Sequence, residues 1–435
     1  MLKKILIITL LICCGFAVHA QQTAQLPVNG DNLTVRVAVM GPGKPLYYWW
    51  GHIALIVDDA ETDESYFFDY GIFNFNDDNF YKNFAFGRLL YRCARTNTER
   101  NINTYIAFNR SITIYTLDLL PEEKARVYSY ASINVLPENR NYYYHHFKDN
   151  CSTRIRDLID LGVNGQLKEK SENEISRYTL RQHVRRHTYH SLAEDWFLNY
   201  LMGQVIDTPI TAWDDMFLPS EVGRQIENFR YTDLNGQTRK LVSSIDDVYM
   251  SVDRAPVLDK PRSQWPIQLG ISLVLAAIFY SFFFIQAKNF SGKLRWISLT
   301  GKALAGASMS LCGLFFGLAA VGLYFMSIFT NHDYTYQNAN MIYYTPLLLV
   351  SFPMGVLYAA AKKEKKLQKY GELLRIIWLL SVLGLFISML IKLLPWFYQD
   401  NLTDQMLMLP IALVFTCHPA GLKETLKKYF PRKRQ

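Results

Sequence analysis

Two patterns of apolar residues divide the chain into parts of different character. Before Trp265, short runs rich in β-branched and aromatic residues are separated by polar turns, which is typical of half-buried strands. After it come long apolar runs with few charges. About 20 apolar residues span roughly 30 Å of hydrocarbon as a helix. The pattern therefore predicts a mixed α+β part followed by an all-α membrane part.

The first part predicts one sheet with helices added to it. Alternation and residue type mark strands at 33–40, 52–57, 65–72, 88–95 and 111–117. A helix is predicted from Pro121 to Leu136, because Pro opens it and apolar residues follow at helical spacing. A second helix begins after Asn150, and helices dominate from 175 to about 203. We expect an antiparallel sheet packed against helices.

The second part predicts five membrane helices, and its charges alternate as those of membrane loops do. The apolar runs lie near 267–286, 303–330, 343–361, 376–397 and 406–417, the last one short and containing Pro410. The connections 288–302 and 362–375 carry four and six Lys and Arg, whereas 331–340 and 398–405 carry none. Basic loops face the cytoplasm. The domain before Trp265 is thus predicted to face outside.

The N-terminus reads as a secretory signal peptide. Lys3 and Lys4 precede an apolar stretch, and Val18-His19-Ala20 is an acceptable cleavage site. An uncleaved anchor helix is the alternative. The predicted organisation is a signal peptide at 1–20, an outer domain at 21–264, a membrane domain at 265–419 and a basic cytoplasmic tail at 420–435.

The net charge of +8 does not indicate a nucleic-acid-binding face, so we expect no nucleic acid as partner. From Pro266 onward there are 17 Lys and Arg against 6 Asp and Glu, whereas the earlier residues carry 29 against 32. The positive charge belongs to the hydrophobic part, as it does in proteins with cytoplasmic loops. Six Cys in 435 residues are too few for a disulfide scaffold.

The chemistry of the outer domain centres on Cys151 and His52. Cys151 follows Asn150, a good N-cap, and opens an amphipathic helix whose N–H groups and dipole favour the thiolate and an oxyanion. His52 follows Gly51 at the head of an apolar strand, where an imidazole is held rigidly. Asp69, on the next strand, is the candidate for orienting the imidazole. On residues alone, a Cys93–Cys151 disulfide remains an open alternative.

The segments GHIALIVDD, FDYGIFNF, YYYHHFKDNCSTRIRDLID and MFLP resemble the Lnb-type N-terminal periplasmic domain, over roughly residues 32–225. The order of a His on an early strand and Asn-Cys opening a later helix is also similar to the circularly permuted papain- and NlpC-like cysteine fold. The resemblance implies that Cys151 is the nucleophile and His52 the base. At position 69, such domains carry Asn or Asp, and the resemblance implies that Asp69 takes that place here.

The resemblance further implies a lipoprotein N-acyltransferase in a bacterial inner membrane, multi-pass, with its catalytic domain in the periplasm. A phospholipid would donate an acyl chain to Cys151 as a thioester, and a diacylated lipoprotein would accept it on its N-terminal amine. No metal or other cofactor is expected. The alternatives are a cysteine hydrolase of peptides or lipid esters on the same residues, and a non-catalytic membrane scaffold held by the Cys93–Cys151 disulfide.

Several further residues are candidates for contacts with lipid or metal. Arg181, in the basic stretch RYTLRQHVRRHTYH, is a candidate for headgroup binding, and that stretch is otherwise a solvated face. Additional substrate-contact candidates are Tyr70, Arg154 and Lys392, the last of which snorkels to the interface in the simpler interpretation. His145 and His146 are possible replacements for His52. His183, His187 and His190 share one helical face but lack a zinc motif.

Overall fold

The computed structural model describes residues 28–418. The predicted signal peptide at 1–20 and the basic tail at 420–435 lie outside the described residues. Within them, the first part of the chain is an antiparallel sheet with helices and the second part is helical. This agrees with the α+β and all-α parts expected from the hydrophobic pattern.

Among residues 28–418, the main sheet has seven strands in the order β6-β4-β3-β2-β1-β5-β9, and every neighbouring pair is antiparallel. A separate two-stranded hairpin joins β7 and β8. The strands are β1 (Leu33–Met40), β2 (His52–Asp59), β3 (Glu64–Ile72), β4 (Leu89–Asn97), β5 (Ile112–Leu117), β6 (Asn141–Tyr144), β7 (Arg230–Thr232), β8 (Thr238–Lys240) and β9 (Val242–Tyr249).

Helices cover both faces of this sheet, which explains the unbroken apolar run in its central strand β2. Side chains on one face, such as Ile53 and Leu55, pack against the helices that follow β5 and β6. Those on the other face, such as Ala54 and Ile56, pack against a helix after β4. A strand buried on both faces needs apolar residues at consecutive positions. The helices of this part are α1 (Phe80–Ala85), α2 (Thr98–Ala107), α3 (Pro121–Asn134), α4 (Cys151–Gly162), α5 (Gln166–Glu172), α6 (Leu180–Thr188), α7 (Leu192–Leu201), α8 (Ala212–Asp215) and α9 (Pro219–Glu227).

Up to residue 418, where the description of the chain ends, the second part contains five α-helices: α10 (Trp265–Ala287), α11 (Arg295–Phe329), α12 (Ser351–Ala360), α13 (Glu364–Ile391) and α14 (Leu402–Cys417). Three of them, α10, α11 and α13, are long and apolar enough to cross a membrane. The other two are apolar but shorter. The five apolar segments are therefore present as helices, and membrane-spanning length is established for three.

Helix α7 joins the two parts, because its residues pack inside the helical cluster of the second part. Trp196 stacks on Phe315 with ring centroids 5.6 Å apart, and Tyr200 meets Tyr344 at 4.7 Å. The loop after α11 contacts α1 of the first part, where the N–H of Asn331 donates to the carbonyl of Phe86 at 2.9 Å. The first part is thus held against the membrane-capable helices through α7 and the end of α1.

Candidate active site

Cys151 is the first residue of α4, and the Asn150 side chain organises that helix end. The Asn150 amide oxygen accepts from the N–H groups of Ser152 at 2.8 Å and Thr153 at 3.0 Å. Its amide nitrogen donates to the carbonyls of His146 at 2.7 Å and Phe217 at 2.9 Å. Asn150 is therefore the N-cap that the sequence predicts. Because the N–H groups of Ser152 and Thr153 are bound by Asn150, the helix donor left beside the sulfur is the N–H of Cys151 itself.

The sulfur of Cys151 approaches His52 beyond the end of strand β3. At that point the strand carries Gly71, which has no side chain to block the approach. The register between β3 and β4 shifts at Gly71, which has a φ of +87°. A β-carbon placed on Gly71 would lie 3.7 Å from the β-carbon of Cys151. The α4 N-terminus therefore packs directly against the backbone of β3. Cys151 is 9% exposed, and it lies close enough to His52 for its charge to act on the imidazole.

The opposite ring nitrogen of His52 is held by Asp69. Nε2 donates to Oδ1 of Asp69 at 2.6 Å, so Nδ1 is the nitrogen left for the thiol. Asp69 pairs with Ala54 in the register of β2 and β3, which makes Asp69 and His52 diagonal neighbours on one face of the sheet. Both side chains are 17% exposed. The three predicted residues Cys151, His52 and Asp69 thus stand in one line of contacts.

The charges around His52 favour its protonated form. Burial by itself lowers the pKa of His52, but the negative charges of Asp69 and Cys151, with the hydrogen bond to Asp69, outweigh burial and raise the pKa to about 10. An imidazolium between a carboxylate and a sulfur stabilises the thiolate, which is the nucleophilic form of cysteine. The arrangement therefore places a protonated imidazole, which is a proton donor, beside the Cys151 sulfur.

Two further features complete this site: Gly51, which the sequence analysis placed before His52, and Tyr105, which the sequence analysis missed. Gly51 has a φ of +79°, and a β-carbon there would lie 2.7 Å from the carbonyl oxygen of Met40, so only glycine fits immediately before His52. Tyr105 of α2 stacks on His52 with ring centroids 6.1 Å apart. The signal for α2 was its N-cap, since the Asn97 side chain accepts from the N–H of Arg100 at 3.0 Å. Helix α2 is mostly polar, so the pattern of apolar residues did not predict it.

This architecture and this line of contacts define a class of protein: a membrane-attached α+β domain carrying a cysteine, histidine and aspartate arranged as in covalent catalysis. Residues 20–192 match the family model of the Lnb N-terminal periplasmic domain. This segment of the chain therefore belongs to the Lnb-type family, and the resemblance predicted from the sequence is confirmed. Comparison with curated proteins and with solved structures gives no match. Together with the three membrane-capable helices, the family match makes the chain a membrane protein with a periplasmic domain.

Arg181 is not at the surface where the sequence analysis placed it. Its side chain is fully buried and its guanidinium donates to Asp207 at 2.8 Å and to the carbonyls of Asn199, Met202 and Gly203. All its donors serve to hold α6 against the following chain. A residue this enclosed has a structural role, and the expectation of a headgroup contact at Arg181 is corrected accordingly.

The other three candidates for substrate contact differ in their burial and in their hydrogen-bond partners. Tyr70 is 1% exposed, and its hydroxyl accepts from the Asn134 amide at 3.0 Å, which leaves it inside the core rather than in a groove. Arg154 is neutralised by Asp149 through two bonds of 2.5 and 2.7 Å. Lys392 follows α13 directly and donates to the Gln405 side chain at 3.3 Å. Contacts of Arg154 and Lys392 with lipid stay predictions.

The alternative histidines have other partners in the structure. His145 binds Asp333 at 2.8 Å, across the junction between the two parts. Burial and the neighbouring His145 lower the pKa of His146 to about 4. His183 pairs with Asp215 in the core, and the ring of His187 bonds the carbonyl of His183 at 2.8 Å. Among residues 28–418, no group of three His, Cys, Asp or Glu is placed to hold a metal ion.

Cys93 and Cys151 are both free thiols, so the disulfide considered in the sequence analysis is not formed. The Cys93 thiol donates to the carbonyl of Asn134 at 3.1 Å. Burial raises the pKa of Cys93 to about 11, which keeps this thiol protonated and inert at neutral pH. The scaffold alternative thus loses the bond on which it rested.

Proposed function

We propose that this protein is a membrane-bound lipoprotein N-acyltransferase that carries an acyl chain on Cys151. The proposal rests on the row of residues Cys151, His52 and Asp69 within a periplasmic domain of the Lnb type. In this row, Nε2 of His52 lies 2.6 Å from Oδ1 of Asp69. The attachment of this domain to membrane-capable helices supports lipids as substrates, since a lipid-modifying site must stay at the bilayer surface.

In the first half-reaction, the Cys151 thiolate attacks an ester carbonyl of a phospholipid. The developing oxyanion lies at the start of α4, where the Cys151 N–H is a donor. When the tetrahedral intermediate collapses, His52 gives its proton to the departing alkoxide, and a lysophospholipid leaves. The products are a Cys151 thioester and a neutral His52. Asp69 keeps Nδ1 of the imidazole turned toward the sulfur by binding Nε2.

In the second half-reaction, the α-amino group of a diacylated lipoprotein attacks the thioester carbonyl. His52 takes a proton from the attacking nitrogen, and the thiolate leaves to pair with the resulting imidazolium. An amide forms and the enzyme returns to its initial state. The same imidazole therefore serves both steps, as an acid in the first and as a base in the second. Exclusion of water keeps the thioester for the amine.

The direct test uses the full-length protein with phospholipid and a synthetic diacylated lipopeptide, read by mass spectrometry. We expect one acyl chain on the lipopeptide amine and an equal amount of lysophospholipid. Release of free fatty acid without acylated lipopeptide would show that the protein hydrolyses lipid esters and is not a transferase. Absence of both products, together with cleavage of a peptide, would overturn the lipid chemistry altogether.

Replacing Asp69 by asparagine is expected to shift the alkaline limb of the rate of thioester formation to lower pH. In the unchanged protein this limb should lie near pH 10, the pKa of His52, because imidazolium is needed to protonate the leaving alkoxide. Removing the carboxylate removes its stabilisation of the imidazolium, and the limb should fall by about 1–3 units. Single-turnover acyl-enzyme formation at graded pH measures this.

Asp58→Asn provides the matched control, since Asp58 lies on β2 but pairs with Arg36 at 2.6 Å. Its pH profile should equal that of the unchanged protein. An Asp69→Asn profile with an unmoved alkaline limb would contradict the assignment of Asp69 as the residue that positions and charges His52.

A further inference from the structure

The segment around α1 presents a group of aromatic side chains at the surface of the first part. Tyr81 is 71% exposed, and Phe75 and Phe84 are each 45% exposed. The ring of Phe80 lies between them, with its centroid 5.2 Å from that of Phe75 and 6.1 Å from that of Phe84. Exposed apolar side chains that cluster in this way mark a contact with a protein or a membrane. We call these four residues the α1 aromatic surface.

The α1 aromatic surface continues onto the membrane-capable helix α11. Phe86, directly after α1, packs on Phe325 of α11 with ring centroids 5.5 Å apart. Helix α11 is apolar up to its last residue, Phe329, and both of these α11 side chains are exposed. Because a helix rises 1.5 Å per residue, Phe325 lies about 6 Å from that end. Helix α1 is therefore placed where α11 leaves the hydrocarbon on the periplasmic side.

The charges of this segment do not favour a charged partner. Residues 73–88 contain Asp77, Asp78, Lys82 and Arg88, so their net charge is zero. Aromatic rings without excess charge are typical of the membrane–water interface, where they lie at the level of the lipid headgroups. Together with the continuity with α11, this composition indicates the lipid interface as the occupant of the surface.

A row of packed rings connects the α1 aromatic surface with the nucleophile. Neighbouring ring centroids are 5.9, 5.0 and 4.4 Å apart in the order Phe80, Phe73, Tyr91 and Tyr144. A β-carbon placed on Gly71 would lie 3.3 Å from the Tyr144 ring and 3.7 Å from the β-carbon of Cys151. The surface that meets the lipid interface is therefore joined by direct packing to the start of α4.

We propose that the α1 aromatic surface inserts into the periplasm-facing leaflet of the membrane at headgroup depth, and that a phospholipid enters the Cys151 site from this side. Burial of the exposed rings among lipids stabilises the docked position. The leaflet itself is the occupant. The docking is independent of the proposed acyl transfer, whereas the entry of a phospholipid substrate rests on that proposed function.

The test of docking uses full-length protein with Cys151→Ala, so that it needs no turnover. The protein is placed in nanodiscs of phosphatidylcholine that carries a diazirine near the headgroup end of one acyl chain. After irradiation, peptide mass spectrometry locates the lipid adducts. We expect at least tenfold more adducts on residues 73–86 than on the peptide that contains Tyr130, which is 52% exposed on α3.

Adducts on residues 73–86 at the level of the Tyr130 peptide would overturn the proposal. Cross-links from this segment to a second copy of the chain, without lipid adducts, would overturn it in favour of a protein contact. Either result is obtained with the unchanged α1 sequence and so does not depend on the folding of a variant.

Tyr81→Asp should lower the adducts on residues 73–86 at least threefold, because a carboxylate is costly to place among lipids. Tyr81→Trp should retain them, since Trp is an interfacial residue. Both changes are at an exposed position, so the melting temperature should not fall. Tyr130→Asp is the matched control and should keep the adducts of the unchanged protein. Equal adducts in Tyr81→Asp and Tyr81→Trp would contradict the insertion.

The role in substrate entry is tested with Cys151 intact. Tyr81→Asp should slow thioester formation at least fivefold more with phospholipid in a bilayer than with a short-chain phospholipid dissolved as monomers, because only the bilayer substrate needs the docked surface. An equal loss with both lipids would overturn this role. If the unchanged protein forms no thioester with either lipid, the proposed function fails, and the cross-links still decide the docking.

Discussion

Replacing Cys151 by alanine is expected to abolish both the acyl-enzyme and the acylated lipopeptide, with a fall in rate of about 10⁴-fold or more. The physical reason is that no other group at this site combines a lone pair with a position on the α4 N-terminus beside His52. Alanine fills nearly the same volume, so the fold should persist. Intact-protein mass spectrometry after incubation with phospholipid detects the acyl chain on the unchanged protein.

Cys93→Ala is the matched control for that experiment. Cys93 is a buried free thiol of the same domain, bonded to the carbonyl of Asn134 at 3.1 Å and raised in pKa to about 11. Its removal should leave the rate of transfer largely intact. A protein in which Cys93→Ala is as inactive as Cys151→Ala would contradict the single-nucleophile account.

Cys151→Ser refines the result, because it keeps the geometry and changes only the nucleophile. A serine hydroxyl is far less acidic than a thiol, and His52 would have to remove its proton during attack. We expect a folded protein with nearly no transfer. Full activity of Cys151→Ser would show that the thiolate is dispensable.

Replacing His52 by alanine is expected to lower the rate of thioester formation by about 10³- to 10⁴-fold. Without the imidazolium, the thiolate loses its counter-charge and the leaving alkoxide loses its proton donor. The space left beside Asp69 also allows a direct check, since free imidazole should restore part of the activity. Alkylation of Cys151 by iodoacetamide at neutral pH should slow in the same variant, independently of lipid substrates.

His190→Ala is the matched control, because His190 is an exposed histidine of the same domain whose ring lies 4.3 Å from that of Trp49. It should retain the rate of thioester formation. A His52→Ala protein with unchanged alkylation and transfer rates would remove His52 from the mechanism, and a comparable loss in the control would point to a general effect on the fold.

Local patterns in the sequence were sufficient for the elements that hold the candidate site. The predicted strand at 33–40 coincides with β1, and the Asn150-Cys151 cap and the helix after it are as expected. Capping chemistry and strand periodicity act between neighbouring residues, so the sequence by itself determined them. The same holds for the long apolar helices α10, α11 and α13.

Partners that lie far apart in the chain were decided only by the tertiary structure. The sequence presented Arg181 as part of a basic, solvated stretch, but the fold surrounds it with carbonyls and Asp207. Two outer cysteines suggested a disulfide, yet the fold gives Cys93 a carbonyl partner instead. The insertion of α7 among the membrane-capable helices has no local signal. Burial and charge pairing depend on which distant segments of the chain pack together. The spacing of residues along the sequence does not predict that packing.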